Sequence, residues 1–274
     1  FAKGEIEGVA IGADGVLTLA PALTNLAELD AERIWSLVRN DNGDLYVGTG
    51  DSGRLFTVRA DGQATLLFDS PELVLHTLTI GPDGTLYAGS APDGLIYKVD
   101  STGHSNTLVQ TGSRYVWDLA FIDGQLHAAT GEPGRVLKIA TDGSYEVLFD
   151  PEDRHVMTLL AHGGRLYAGT SSKGRIYEID DGGQGRLLFE AAQEEIHDLV
   201  ADASGRLFAS AIPGSPKGDQ QDEIPAAVYR VKKNGTVYPI WENVDAKRVN
   251  LAAGALEKIE VIRGTRSRGQ VRIL

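Results

Sequence analysis

The stretch Gly-Asp-Leu-Tyr-Val-Gly-Thr at 43–49 decides the fold, because the chain repeats it four more times. The copies read Gly-Thr-Leu-Tyr-Ala-Gly-Ser at 84–90, Gly-Gln-Leu-His-Ala-Ala-Thr at 124–130, Gly-Arg-Leu-Tyr-Ala-Gly-Thr at 164–170 and Gly-Arg-Leu-Phe-Ala-Ser-Ala at 205–211. Their starting points are 41, 40, 40 and 41 residues apart. A period of this length that is built from strands and turns is typical of a β-propeller.

Each repeat contains four short strand-like segments separated by turn signals. In the first repeat the predicted strands are Arg33–Val38, Leu45–Thr49, Arg54–Val58 and Ala64–Asp69. The turns carry Asn-Gly, Ser-Gly and Asp-Gly pairs, which favour tight hairpins because these residues tolerate positive φ. Small residues recur in the second strand and are expected to let neighbouring blades pack closely: Gly48, Gly89, Ala129 and Gly169. Only the segment Leu23–Arg33 is compatible with a short helical turn.

The two ends of the chain read as parts of one more repeat. Residues 7–19 match the third and fourth strands, Val249–Leu251 restarts a first strand, and 263–271 match the second and third strands. The sequence therefore predicts a single all-β domain, a six-bladed β-propeller of four-stranded antiparallel blades. Its full repeats are 30–71, 72–112, 113–153, 154–193 and 194–245, and 1–29 with 246–274 form a composite closing blade. A seven-bladed ring, or a piece of a longer propeller, is the alternative.

Composition restricts the classes of partner. The 274 residues carry a formal net charge of −12, which argues against nucleic acid or an anionic membrane surface as the main partner. Cysteine is absent, so the chain contains neither disulfides nor thiol ligands. No apolar run approaches the length of a membrane span.

The repeat pattern Gly-x-Leu-Tyr-x-Gly-Thr, followed by Gly-Arg-hydrophobic-Tyr as at 174–177, resembles bacterial propellers of the NHL and two-component-regulator type. It is also similar to the wider superfamily of gluconolactonases, strictosidine-synthase-like proteins and streptogramin lyases. Trp117-Asp118 lies on a first strand, so it is not the motif of tryptophan-aspartate repeats. The resemblance implies the fold. Because several such propellers belong to larger secreted or cell-surface proteins, it also implies an extracytoplasmic location, periplasmic or secreted.

The first strand of each blade lines the axis of a propeller, and here two of its positions vary. The first variable position reads Trp35, His76, Trp117, Met157, His197 and Val249. The next reads Ser36, Thr77, Asp118, Thr158, Asp198 and Asn250. A leucine follows in every blade and is expected to be core: Leu37, Leu78, Leu119, Leu159, Leu199 and Leu251. We take Trp35, His76, Trp117, Asp118, His197 and Asp198 as the candidate ligand-binding residues at the channel.

Three functions are compatible with this ring of residues. The first is a non-catalytic binding or scaffold module that recognises a protein or a glycan, because Trp and His offer flat apolar area with a polar edge. The second is a lactonase- or lyase-like enzyme with calcium or another divalent metal. Its ligands would be oxygens of Asp118, Asp198 and Asn250 and nitrogens of His76 and His197.

The gluconolactonase-like ligand set includes a Glu, and no Glu occupies either ring position. The third function is a purely structural role in a larger assembly, with the acidic surface as a docking face. A long polar insertion at Ile212–Ala227 replaces the tight turn in the fifth repeat and is a second candidate binding element.

Overall fold

The fold is all-β. The computed structural model describes residues 9–11, 17–19, 24–202, 204–214, 224–232, 235–243, 249–253, 259–263 and 270–273, and these contain strands and turns but no helix. No segment of this part of the chain has the helical length and apolarity needed to cross a membrane. The blade 5 insertion lies partly outside it, at 215–223.

Five consecutive groups of four antiparallel strands follow the predicted repeats. Blade 1 is β4 (Arg33–Arg39), β5 (Leu45–Gly50), β6 (Arg54–Val58) and β7 (Ala64–Asp69). Blade 2 is β8 (Val74–Ile80), β9 (Leu86–Ala91), β10 (Leu95–Val99) and β11 (Ser105–Gln110). Blade 3 is β12 (Tyr115–Ile122), β13 (Gln125–Gly131), β14 (Val136–Ile139) and β15 (Tyr145–Phe149). Blade 4 is β16 (His155–His162), β17 (Arg165–Ser171), β18 (Arg175–Ile179) and β19 (Gly185–Glu190). Blade 5 is β20 (Glu195–Ala201), β21 (Leu207–Ile212), β22 (Ala226–Val231) and β23 (Val237–Asn243).

The remaining strands are contributed by the two ends of the chain. They are β1 (Val9–Ile11), β2 (Leu17–Leu19), β3 (Thr24–Glu28), β24 (Val249–Ala253), β25 (Ile259–Arg263) and β26 (Gln270–Ile273). β1 pairs with β2, β24 with β25, and β26 with β3, all antiparallel. The last pairing joins the C-terminal strand to an N-terminal strand, as ring closure requires.

β3 overturns one sequence expectation and sharpens another. The segment Leu23–Arg33, which the sequence left compatible with a short helical turn, holds this strand, because its main chain pairs with β26. We expected residues 16–19 to supply the outermost strand next to blade 1, but β3 has that position, and β1 and β2 form a separate hairpin. The six-bladed ring remains a prediction, now with β3 as the outer strand of the closing blade.

The position of β3 follows from a contact that three successive pairs of blades share. The outer strands of blades 1, 2 and 3 each contain a bulge leucine whose carbonyl oxygen faces a positive-φ glycine in the next blade, at Leu67 with Gly103, Leu108 with Gly143 and Leu148 with Gly183. A Cβ on any of these glycines would lie 2.1–2.2 Å from that oxygen. Leu26 of β3 meets Gly62 of blade 1 in the same way, at 2.4 Å. β3 therefore packs on blade 1 as one blade packs on the next.

The small residues of the second strands also lie between blades, as predicted. A Cβ on Gly89 would stand 2.5 Å from Cγ1 of Val116 in blade 3, and one on Gly169 would stand 2.6 Å from Cγ2 of Ile196 in blade 5. Ala129 is fully buried at the equivalent place. The first strands can therefore approach one another around the axis.

The ring of leucines on the first strands is core in five blades and not in the sixth. Leu78, Leu119, Leu159, Leu199 and Leu251 are buried, whereas Leu37 is 49% exposed. The expectation that all six are core is wrong for blade 1.

Candidate functional site

A β-bulge in every described blade lifts one residue out of the first strand. In blade 1, Ile34 pairs with Thr49 and Ser36 with Gly48, which leaves Trp35 without a cross-strand partner in the ladder. The same irregularity occurs at the first variable position of the next four blades: His76, Trp117, Met157 and His197. A bulge redirects a side chain relative to its neighbours. The residues selected from the sequence are thus the ones that the backbone sets apart.

Three of these side chains come together in one aromatic cluster. The ring centroids of Trp35 and His76 are 4.8 Å apart, and those of His76 and Trp117 are 4.4 Å apart. Tyr115 stacks on Trp117 at 4.9 Å with an interplanar angle of 12°, and His155 lies edge-on to both rings. These five residues, which we call the aromatic cluster, join the first strands of blades 1 to 4 and are all half-buried. We call the end of the first strands where Tyr115, His155 and Glu195 begin β12, β16 and β20 the rim.

One hydrogen bond fixes the protonation of His155. The indole Nε1 of Trp117 donates to Nδ1 of His155 over 3.0 Å, so the neutral ring carries its proton on Nε2. Burial lowers the pKa of His155, because the charged ring loses water, although Glu132 acts in the opposite direction. His155 is therefore neutral at neutral pH. Around it, Glu132 forms ion pairs with Arg114 and Arg154.

His197 occupies a different part of the ring from the cluster. Met157 of blade 4 has the ring position between those of Trp117 and His197. The Nδ1 atom of His197 lies 2.7 Å from Oε1 of Glu195, two residues earlier on the same strand. Because a carboxylate only accepts hydrogen bonds, Nδ1 is the ring nitrogen that donates to Glu195. This is the arrangement by which a carboxylate prepares an imidazole for general-base work.

Asp118 connects three blades through its carboxylate. Oδ1 accepts hydrogen bonds from the Thr77 hydroxyl of blade 2 at 3.2 Å and from the Leu119 amide at 2.8 Å. Oδ2 accepts from the Thr158 hydroxyl at 3.3 Å and from the Leu159 amide of blade 4 at 2.8 Å. Four donors occupy the four lone-pair directions of the carboxylate. Asp118 is consequently a link between first strands and has no oxygen lone pair left for a ligand.

Asp198 makes the corresponding link toward the C-terminal part of the chain. Its Oδ2 accepts a hydrogen bond from the Leu251 amide over 2.9 Å. Burial raises the pKa of both carboxyls, to about 6 for Asp118, where it outweighs the donors and is reinforced by the charge of Asp198. Asp118 as a residue is partly exposed toward the channel, but its carboxylate is enclosed by strands from three blades.

The proposed metal ligands do not converge. Within the described residues no group of three or more His, Asp or Glu side chains is arranged to hold a metal ion. The Asp118 oxygens are already saturated by donors, and the side chain of Asn250 is outside the described part. The described side chains of Asp118, Asp198, His76 and His197 are therefore not arranged as one divalent-metal site.

The sequence-selected residues thus fall into three places. Trp35, His76 and Trp117 meet in the aromatic cluster, His197 pairs with Glu195, and Asp118 and Asp198 link blades. Sequence reasoning missed Tyr115 and Glu195. The missing signal was the two-residue spacing along a strand, which puts Tyr115 beside Trp117 and Glu195 beside His197.

The consecutive four-stranded antiparallel blades and the ring of first-strand residues define a β-propeller. No protein-family model matches the chain, and no curated protein sequence does either. Virginiamycin B lyase from Staphylococcus aureus superposes with a TM-score of 0.75 at 14% identity, covering 88% of this chain and 82% of the lyase. A gluconolactonase from Xanthomonas campestris gives 0.64 at 16% identity, with 88% and 86% covered. The PQQ-bound aldose sugar dehydrogenase from Streptomyces coelicolor gives 0.62 at 19% identity, with 91% and 94% covered. At these identities the likeness establishes the fold alone.

Proposed function

We propose that this propeller is a non-catalytic binding module that recognises a glycan through the aromatic cluster at the rim, within a larger extracytoplasmic assembly. The observation that carries the proposal is the row of rings from Trp35 through His76 to Trp117, each within 5 Å of the next. Sugar rings present apolar C–H faces that pack on flat aromatic side chains, and hydroxyls that bond to ring N–H and O–H groups. The uncharged state of His155 supports a neutral ligand over an anion.

Tryptophan fluorescence tests this proposal directly. The chain has three tryptophans, and Trp241 lies on the outer strand β23, so a Trp241→Phe background reports on Trp35 and Trp117. We expect a soluble oligosaccharide from a panel of cello-, chito-, xylo- and malto-oligosaccharides to change the emission saturably. Trp35→Ala and Tyr115→Ala should each weaken binding about tenfold or more, as for central aromatic anchors.

Tyr145→Ala is the matched control, because Tyr145 is an exposed aromatic on the outer strand β15. It should bind as the background protein does. If no oligosaccharide perturbs the emission, or if Tyr145→Ala weakens binding as much as Trp35→Ala, the glycan proposal is wrong. Emission changes produced by peptides alone would assign the rim to a protein segment instead.

The His197–Glu195 pair favours a second candidate, a metal-independent lyase- or lactonase-like enzyme. One structural neighbour is described as a catalytically inactive histidine-to-alanine variant of virginiamycin B lyase with quinupristin. In this chain Glu195 would hold the imidazole of His197 through Nδ1, and Nε2 would remove a proton from the substrate.

This second candidate predicts turnover of a cyclic ester, with quinupristin and gluconolactone as the probes. His197→Gln should lower kcat about a hundredfold or more, the usual contribution of a positioned general base, and Glu195→Gln should lower it less. His104→Gln, which alters an exposed turn, should leave kcat unchanged. Absence of turnover with either probe, or equal activity of His197→Gln and the parent, would remove the enzyme from consideration.

A further inference from the structure

A cavity of about 220 Å³ opens between blades 4 and 5 at the end of the propeller opposite the rim. It lies where the first strands finish, since His162 ends β16 and Lys232 follows β22. Part of its wall is apolar and consists of the Tyr167 ring, Leu188 and Leu207. The rest carries polar and charged side chains, from His162, Arg165, Glu178, Arg186 and Lys232, and Gly163 completes the lining.

The charge of this cavity is opposite to that of the chain. Two of its cations, Arg165 and Lys232, have no carboxylate within the 4.0 Å ion-pair distance among the described residues. The third cation, Arg186, forms an ion pair with Glu178. Glu178 also accepts a hydrogen bond from the Tyr167 hydroxyl over 3.3 Å. Two uncompensated positive charges therefore face one concave space in a protein with a net charge of −12.

A small residue stands close to this cavity at a position where another blade has a large one. Between blades 2 and 3, the ring of Phe121 packs on Tyr87 at 5.4 Å. Strand register makes Ala201 the counterpart of Phe121, since Phe121 pairs with Leu126 and Ala201 with Leu207. Ala201 packs against the same hydrophobic cluster as Tyr167 but has no ring to place on it.

We propose that this cavity binds a monosaccharide that bears a carboxylate, a sugar acid of uronate type. Arg165 and Lys232 would hold the carboxylate, and Arg matches carboxylate geometry with paired N–H donors. Glu178 would accept hydrogen bonds from sugar hydroxyls. Tyr167, Leu188 and Leu207 would contact the apolar face of the sugar ring. A bare phosphate would leave that apolar wall unused.

Titration calorimetry with D-glucuronate, D-glucose and inorganic phosphate tests the site. We expect D-glucuronate to bind at one site per chain, at least about tenfold more tightly than D-glucose or phosphate. Arg165→Gln and Lys232→Gln should each weaken D-glucuronate binding about tenfold. Ala201→Phe, which keeps every charge and restores the ring found at Phe121, should abolish binding by filling the space.

Lys138→Gln is the matched control, because Lys138 is a cation on the third strand of blade 3, beside Glu146 and outside the cavity. It should leave D-glucuronate affinity unchanged. The rim variant Trp35→Ala should also bind D-glucuronate normally, so the two sites fail or succeed independently. Equal affinity for D-glucose, equal weakening by Lys138→Gln, or undiminished binding by Ala201→Phe would each overturn the proposal.

Discussion

Asp118→Ala is expected to lower the free energy of unfolding by about 3–5 kcal/mol at pH 4, one of the largest effects of any single substitution in this chain. The change leaves the Leu119 and Leu159 amides and the Thr77 and Thr158 hydroxyls without their shared acceptor. Each buried donor that loses its partner costs about 1–3 kcal/mol. Urea unfolding at constant ionic strength measures the loss.

The same variant should lose a pH dependence that the parent has. The folded-state pKa of Asp118 is raised from 3.8 to about 6, so the folded chain binds its proton more tightly than the unfolded chain does. Stability from this group is therefore complete below pH 4 and is lost as the pH rises to 6, by about 3 kcal/mol for a shift of this size. The difference in the free energy of unfolding between the parent and Asp118→Ala should therefore become smaller by that amount between pH 4 and pH 7.

Asp142→Ala is the control, because Asp142 is an exposed carboxyl that accepts only from Ser144 in a turn. Those hydrogen bonds lower the pKa of Asp142, so the ionisation of Asp142 changes the stability below pH 4 and not between pH 4 and pH 7, where Asp118 acts. Asp142→Ala should lower the free energy of unfolding by about 1 kcal/mol or less. A parallel pH profile for parent and Asp118→Ala would show that burial does not govern this carboxyl.

Gly143→Ala is expected to destabilise the chain by about 2–5 kcal/mol, because two costs add. Gly143 has φ of 87°, where an L-residue costs about 1–2 kcal/mol, and its new Cβ would lie 2.2 Å from the carbonyl oxygen of Leu108 in blade 2. Backbone of a packed sheet cannot move aside without disturbing the interface, which adds about 1–3 kcal/mol. Urea unfolding again measures the loss.

Gly124→Ala separates the two costs. Gly124 also has positive φ, 77°, but nothing lies within 4 Å of the Cβ it would gain. It should lose only about 1–2 kcal/mol. The difference between the two variants reports the contact between blades 2 and 3. If both lose the same amount, the contact between the leucine carbonyl and the turn glycine does not hold blades together.

Much of the fold was readable from the chain because its causes are local. The Asp-Gly turns, the strands and the 40-residue repeat period all depend on residues that are neighbours in the sequence. All four strands of blade 1 accordingly begin where the sequence predicts. The N-terminal segment was misread because its strand state depends on pairing with β26, at the far end of the chain. Leu37 was misread as well, since the repeat aligns it with leucines that are buried in the other blades, whereas its own side chain is 49% exposed.

The candidate site divides along the same line. Sequence alone determined which positions vary around the axis, because the repeat aligns Trp35, His76, Trp117, Asp118, His197 and Asp198 without any structure. Only the tertiary structure decided that three of them share one cluster. It also decided that the Asp118 carboxylate accepts hydrogen bonds from neighbouring blades, and that Glu195 contacts His197. Those outcomes depend on bulges and on contacts between residues about 40 positions apart. Distances of that kind are set by the packing of whole blades, which the repeat specifies only as an average.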